Sequence, residues 1–155
     1  MIQICDRAYH KNTDTYTMSE IGIPGIVLME RAAYVLAREV QNSAKKTDRI
    51  LAVCGSGNNG GDGIAAARIL HLMGYSCDVL LLCEKNGLTE ATGQQLRIAQ
   101  NIGVTVYRLW MNGAECIWDS EVPDKEFAGI ETYTLVIDAI FGIGLTRNIE
   151  EPYKS

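Results

Sequence analysis

The sequence predicts an α/β fold with a mainly parallel, doubly wound sheet and helices on both of its faces. Three observations carry this expectation. Residues 50–54, 77–83 and 133–137 are short, nearly unbroken apolar runs of the kind that form strands covered on both sides. Stretches with apolar residues at helical spacing alternate with them. A glycine-rich segment, residues 55–63, joins the first apolar run directly to one of those helices.

Taken in order, the elements are these. After a polar lead-in, Ile23, Pro24 and Gly25 punctuate the chain, and Ile26, Met29, Ala33, Leu36 and Val40 then recur on one helical face, ending near Ser43. The strand at 50–54 runs into the glycine-rich segment. Beyond it Ala66, Ile69, Leu70 and Met73 share a helical face that Gly74 closes as a C-terminal cap. A second strand at 77–83 follows, and Thr89 caps a helix through Leu96 and Ala99 toward Ile102. Residues 104–107 form a third strand. The stretch 110–129 is weakly patterned, with 124–128 able to form a helical turn. The strand at 133–137 ends at Asp138 and leads into a second glycine-containing loop, Phe141 to Arg147.

With 155 residues, 47% of them hydrophobic and 21% charged, the chain has material for one domain over 1–155 with one core. A net charge of −5 and a pI near 5.0 argue against a basic face for nucleic acid. The five cysteines, Cys5, Cys54, Cys77, Cys83 and Cys116, form no C-x-x-C pair and read as reduced thiols. No apolar run is long enough to cross a bilayer, and no leader-like start is present, which points to a cytoplasmic protein without a membrane partner.

Gly55, Gly57 and Gly60 satisfy G-x-G-x-x-G between a strand and a helix, the context in which that motif binds a ligand. A bare turn would not need five glycines and two asparagines in nine residues. Glycine there permits positive φ or close approach of a ligand to the backbone. A phosphate-cradling P-loop is excluded, because Gly60 is followed by Gly61 and Asp62 rather than by Lys and Ser or Thr. A dehydrogenase fingerprint, with Glu84 as ribose-binding acid, remains open. Against it, Asp62 would repel a pyrophosphate at the helix mouth. Asp62 has a plain alternative as an N-cap. Asp138 reads as a partly buried carboxylate that needs a partner. Asn59 and Asp138 offer hard oxygens suited to a group I or II cation. His10 and His71 read as structural or solvated, and Trp110 and Trp118 as cover for the sheet edge. No residue is singled out as catalytic.

Ile21-Gly22-Ile23-Pro24, Leu28-Met29-Glu30, Gly57-Asn58-Asn59-Gly60-Gly61-Asp62-Gly63, Ala67-Arg68 and Val136-Ile137-Asp138-Ala139-Ile140-Phe141-Gly142 with Gly144-Leu145 resemble, in order along almost the whole chain, the YjeF N-terminal domain family. The resemblance implies a Rossmann-like three-layer αβα domain that epimerises the R and S hydrates of NADH and NADPH with a bound potassium ion. It implies that Asn58, Asn59, Gly60, Gly61 and Asp62, with Gly142, Ile143, Gly144, Leu145, Thr146, Arg147 and Asn148, line the substrate site. Asn59 and Asp138 would hold the potassium. It further implies a homodimer and, fused or separate, an ATP- or ADP-dependent hydrate dehydratase as partner. Arg31 and Ala33 depart from the asparagine and glycine usual in the family. The family also continues into an Asp-Ile-Pro-Ser-Gly-like segment with a further substrate aspartate and potassium-binding serine, so the domain reads as incomplete after Ser155. The competing expectations are a non-catalytic nucleotide-binding or self-associating module and, with less support, an NAD-dependent oxidoreductase fragment.

Overall fold

A computed structural model describes residues 6–83, 87–112, 115–120, 126–143, 145 and 148. Its elements run α1 (Arg7–Ser19), α2 (Gly25–Ser43), β1 (Arg49–Cys54), α3 (Asn58–Leu72), β2 (Ser76–Leu82), α4 (Glu90–Asn101), β3 (Thr105–Asn112), β4 (Glu115–Ser120), a 3-10 turn (Ile130–Thr132) and β5 (Leu135–Ala139). The five strands form one sheet in the order β4-β3-β2-β1-β5. β1 pairs in parallel with both β2 and β5, β2 in parallel with β3, and β4 alone runs antiparallel, against β3. The α/β class is as expected.

Strand β1 lies between β2 and β5 and is the most completely buried of the strands. Ile50, Ala52 and Cys54 point into the main core with Ile64, Leu70, Val79, Leu81, Leu96, Val106 and Ile137, while Leu51 and Val53 point to the other face. α3 packs on β1, β2 and β5 and is flanked by α2 and α4. Met29, Ala33, Ala37 and Val40 are the buried face of α2, one residue every three or four as the periodicity predicts. Ala33, a departure from the family pattern, is fully buried here. Gly74 ends α3 at φ +83°, its N–H reaching the His71 carbonyl at 2.9 Å and Tyr75 N reaching Leu70 O at 3.0 Å, which closes the last turn.

Among the described residues the helices of the core cover one face. The opposite face carries Leu51, Val53, Leu80 and Tyr107, with Phe127, Tyr133 and Ile140 laid over them. Phe127 is stacked between Trp118 (5.2 Å, 18°) and Tyr133 (6.1 Å, 19°), and the Tyr133 hydroxyl donates to Asp78 Oδ2 at 2.8 Å.

Three local expectations are corrected. The polar lead-in is helix α1, started by Asp6, whose Oδ1 accepts from Tyr9 N at 2.8 Å. It has no buried face to betray it in the sequence. The third strand is longer than 104–107 because it is extended by a hairpin to β4, an edge strand with Trp118 half exposed. Residues 126–128 are not helical, and 124–125 lie outside the described residues. His10 is exposed on α1, and His71 sits half-buried in the last turn of α3. Cys54, Cys77 and Cys83 are buried and not in disulfides; burial pushes Cys77 up to about 12 and Cys54 in the same direction, so neither is a nucleophile at neutral pH. Cys5 and the side chain of Cys116 lie outside the description. No described helix is long and apolar enough to cross a membrane.

Candidate functional site

β1 separates β2 on one side from β5 on the other, so the sheet's topological switch point lies at the carboxyl ends of β1 and β5. Gly55, just past β1, donates its N–H to Ala139 O at 3.1 Å and ties the two strand ends together. The glycine-rich segment is not the loop that the sequence suggests. Helix α3 begins at Asn58, with Gly57 as its N-cap, so Asn58 to Gly63 are already helical.

The glycines serve packing rather than positive φ, which none of them adopts. A Cβ on Gly60 would fall on the Gly55 carbonyl, 2.7 Å from its carbon. One on Gly61 would meet Met29 Cε at 2.7 Å and Thr92 Oγ1 at 2.8 Å, and one on Gly63 would meet Cys54 Sγ at 2.9 Å. α3 therefore lies closer to β1, α2 and α4 than any side chain would allow. Gly57 alone in this segment faces open space, with nothing within 4 Å of its Cβ position. Having no side chain, it leaves the first amides of α3 without a side-chain cap. These amides, at the positive end of a helix, suit a hydroxyl or an anion.

The head of α3 is held from α4. The fully buried Thr92 hydroxyl donates to Gly57 O at 2.9 Å, and Thr89 Oγ1 lies 2.8 Å from Thr92 Oγ1 and 2.9 Å from Asn58 Oδ1. Thr89 N donates to Ser56 O at 3.1 Å. Thr89 was legible as a helix cap, but its hold on Asn58, 31 residues away, had no sequence signal. Thr92→Val should lower stability by about 1 kcal/mol, the net worth of one such hydrogen bond. Urea unfolding measures it; an unchanged midpoint would show that the clamp contributes nothing.

The second loop closes on the first. A Cβ on Gly142 would lie 3.0 Å from Asn59 Cβ and 3.2 Å from Asn59 Oδ1, so the expected substrate residues Asn59 and Gly142 are neighbours. Leu145 N donates to Gly142 O at 3.2 Å, and Ile143, Leu145 and Asn148 are exposed at this rim. Gly144, Thr146, Arg147 and the alternative ribose acid Glu84 lie outside the described residues.

Two carboxylates need correction. Asp138 is exposed rather than partly buried, and its Oδ1 accepts from Ile140 N at 3.0 Å, which supplies the partner that the sequence required. On β5 it shares a face with Val136, opposite Ile137 and Ala139, which join the core under α3. Asn59 and Asp138 thus approach the strand ends from opposite sides of the sheet. Asp62 is not an N-cap: it is the fifth residue of α3, one turn beyond Asn58, and half-buried. Burial, and secondly the charge of Asp14 on α1, push its carboxyl up to about 6. Asp14 carries no sequence signal of this role, since α1 itself has no apolar stripe to reveal it.

Farther along the helices, Arg68 is buried against Glu30, and Gln95 Nε2 also reaches Glu30 Oε2 at 3.4 Å. This polar link crosses α2, α3 and α4 away from the crevice.

Comparison with known proteins agrees with this geometry. An NAD(P)H-hydrate epimerase of Oenococcus oeni is 36% identical over 149 residues, covering 96% of this chain and 62% of its own. One from Levilactobacillus brevis is 39% identical over 138 residues, covering 88% of this chain and 55% of its own. The chain therefore spans between about half and two thirds of the length of these curated relatives. The crystal structure of yeast ynu0, YNL200c, superposes with a TM-score of 0.76 at 26% identity, covering 99% of this chain and 62% of that one. The family model described as YjeF-related protein N-terminus matches residues 25–155, and the chain belongs to that family.

Proposed function

We propose that the protein interconverts the R and S hydrates of NADH and NADPH, a nicotinamide-nucleotide repair isomerisation. The observation that carries this is the crevice at the switch point. There an uncapped, glycine-packed helix head without a P-loop lysine meets the Gly142 loop, in a chain whose relatives bear the epimerase name. Asn58, Asn59, the Gly60 and Gly61 backbone and Asp62 would take the polar groups of the nucleotide, with Gly142, Ile143, Leu145 and Asn148 on the other side of the crevice. The exposed Ile143 and Leu145 offer apolar cover to a ring.

Asn59 Oδ1 and the free oxygen of Asp138 are hard donors that fit a potassium ion in kind. When bound, it would supply fixed positive charge that makes an acidic crevice tolerant of a dinucleotide. The working protein in this proposal is a cytoplasmic homodimer, with a nucleotide-dependent hydrate dehydratase as functional partner.

The test is chiral chromatography of one purified hydrate epimer incubated with the protein and no ATP. Conversion well above the spontaneous rate is expected; an epimer ratio that follows the background, with protein shown to be folded, would reject the epimerase. Potassium is tested separately. Potassium chloride should raise the melting temperature above that in an equal concentration of choline chloride, and Asp138→Asn should abolish the difference. An increment that survives the substitution would place the ion elsewhere.

A further inference from the structure

Asp62 stands out among the residues of the crevice. It lies on α3 one turn beyond Asn58 and three residues beyond Asn59, and so on the helical face that these two share at the crevice mouth. It is half-buried, and among the described residues its carboxylate makes no hydrogen bond or ion pair. Of the charged side chains on the elements around it, Asp14 of α1 acts on it with like sign. Glu30 of α2 and Arg68 of α3 are engaged with each other, and α4 turns the uncharged Gln95 to that pair. A half-buried carboxyl with no hydrogen-bond donor and no cationic side chain on it among the described residues holds a proton more readily than an exposed one.

We propose that Asp62 is the proton donor of the epimerisation. This assignment rests on the epimerase function proposed above. Water added across the enamine of a dihydronicotinamide puts the hydroxyl on the carbon bonded to the ring nitrogen. Asp62 gives its proton to that hydroxyl; the carbon–oxygen bond breaks, its electron pair leaves on oxygen as water, and the nitrogen lone pair forms the carbon–nitrogen double bond. A water then adds to the opposite face of that carbon and releases its proton to solvent, and the Asp62 carboxylate takes one proton back from solvent. One water leaves and one enters, one proton is given and one regained, and nothing is oxidised.

The experiment follows a purified hydrate epimer with wild type, Asp62→Asn and Asp14→Asn, alongside hydrate binding by calorimetry and NMR titration of the Asp62 carboxyl. Asp62→Asn should lower kcat by about a hundredfold or more, as loss of a general acid does, with hydrate affinity changed less than about threefold. In wild type the rate should fall as pH rises through about 6, where Asp62 loses its proton. Asp14→Asn removes a charge that favours the proton, so it should move both that limb and the NMR titration to lower pH. A merely structural role for Asp62 would let the NMR titration move and leave the rate limb where it is. An Asp62→Asn enzyme within about threefold of wild-type kcat overturns the assignment, as does a limb unmoved by Asp14→Asn, a readout that stands even where Asp62→Asn does not fold. If folded wild type fails to epimerise at all, the functional proposal falls first and this assignment with it.

Discussion

Gly60→Ala is expected to be the most damaging single methyl in the protein, lowering stability by about 3 kcal/mol or more. Its Cβ would fall on the Gly55 carbonyl group, 2.7 Å from the carbon and 3.0 Å from the Gly55 nitrogen. Backbone is the least yielding neighbour a new atom can meet. Gly55 cannot retreat, because its N–H is bonded to Ala139 O and β1 behind it is paired on both sides. α3 cannot retreat either without opening its contacts with α2, α4 and the sheet. Overpacking a well-filled interior typically costs about 1–3 kcal/mol, and more where no side chain can rotate away. The gain in helix propensity on replacing glycine, about 1 kcal/mol, is too small to compensate. Gly57→Ala provides the contrast: its φ of −83° is ordinary and its Cβ position is open, so the loss should stay within about 1 kcal/mol. Urea unfolding of the two variants and wild type decides the matter. Equal midpoints for Gly60→Ala and Gly57→Ala would show that the close approach of α3 to Gly55 is not present in solution.

The same contacts explain what the sequence revealed and what it hid. β1, β2 and α4 were legible because their burial is complete or strictly periodic: Ile50 to Cys54 are all buried, and Thr89 caps α4 as its residue type predicts. The start of α3 was misplaced by glycine itself. Gly60, Gly61 and Gly63 are each poor helix formers, so the segment reads as loop, yet they are helical because only a missing Cβ lets α3 approach β1. From that one displacement followed the N-cap alternative for Asp62, which four earlier helical residues convert into an interior position. α1 was hidden for the opposite reason. Tyr9, Tyr16 and Met18 are all substantially exposed, so no apolar stripe marks the helix. β4 is a half-exposed edge strand whose pairing with β3 is set by tertiary contact, with Trp118 laid on Phe127. The meeting of Asn59 with Gly142 was foreseeable as topology, two loops at the ends of adjacent parallel strands, though not as a contact.

Asp62→Asn should stabilise the protein at neutral pH, and the gain should depend on pH with a sign opposite to that of most aspartates. In the folded chain burial, helped by the charge of Asp14, raises the Asp62 carboxyl from an ordinary 3.8 up to about 6. The folded state therefore binds this proton more tightly than the unfolded chain does. Below the unfolded value both states carry the proton and Asp62 costs no extra stability. Between about 4 and 6 the unfolded chain gives up its proton first, so stability falls as pH rises; above about 6 the full penalty remains and the curve is flat. For a fully buried group that rise would correspond to about 3 kcal/mol. Asp62 is only half-buried, and solvent screening reduces the penalty to about 1 kcal/mol. An asparagine of the same shape carries no charge to desolvate and should recover this amount, about 2–4 °C in melting temperature for a chain of this size. The gain should be present at pH 7, shrink through pH 5 and vanish near pH 4. Asp14→Asn should recover a smaller part over the same window, since its charge is the lesser of the two causes. Thermal melts of the three proteins at pH 4, 5, 6, 7 and 8 test the whole pattern. A constant offset across that range, or an asparagine variant less stable than wild type at pH 7, would mean that the carboxylate is held by partners that favour its charge, and Asp62 would then be an anchor of the fold.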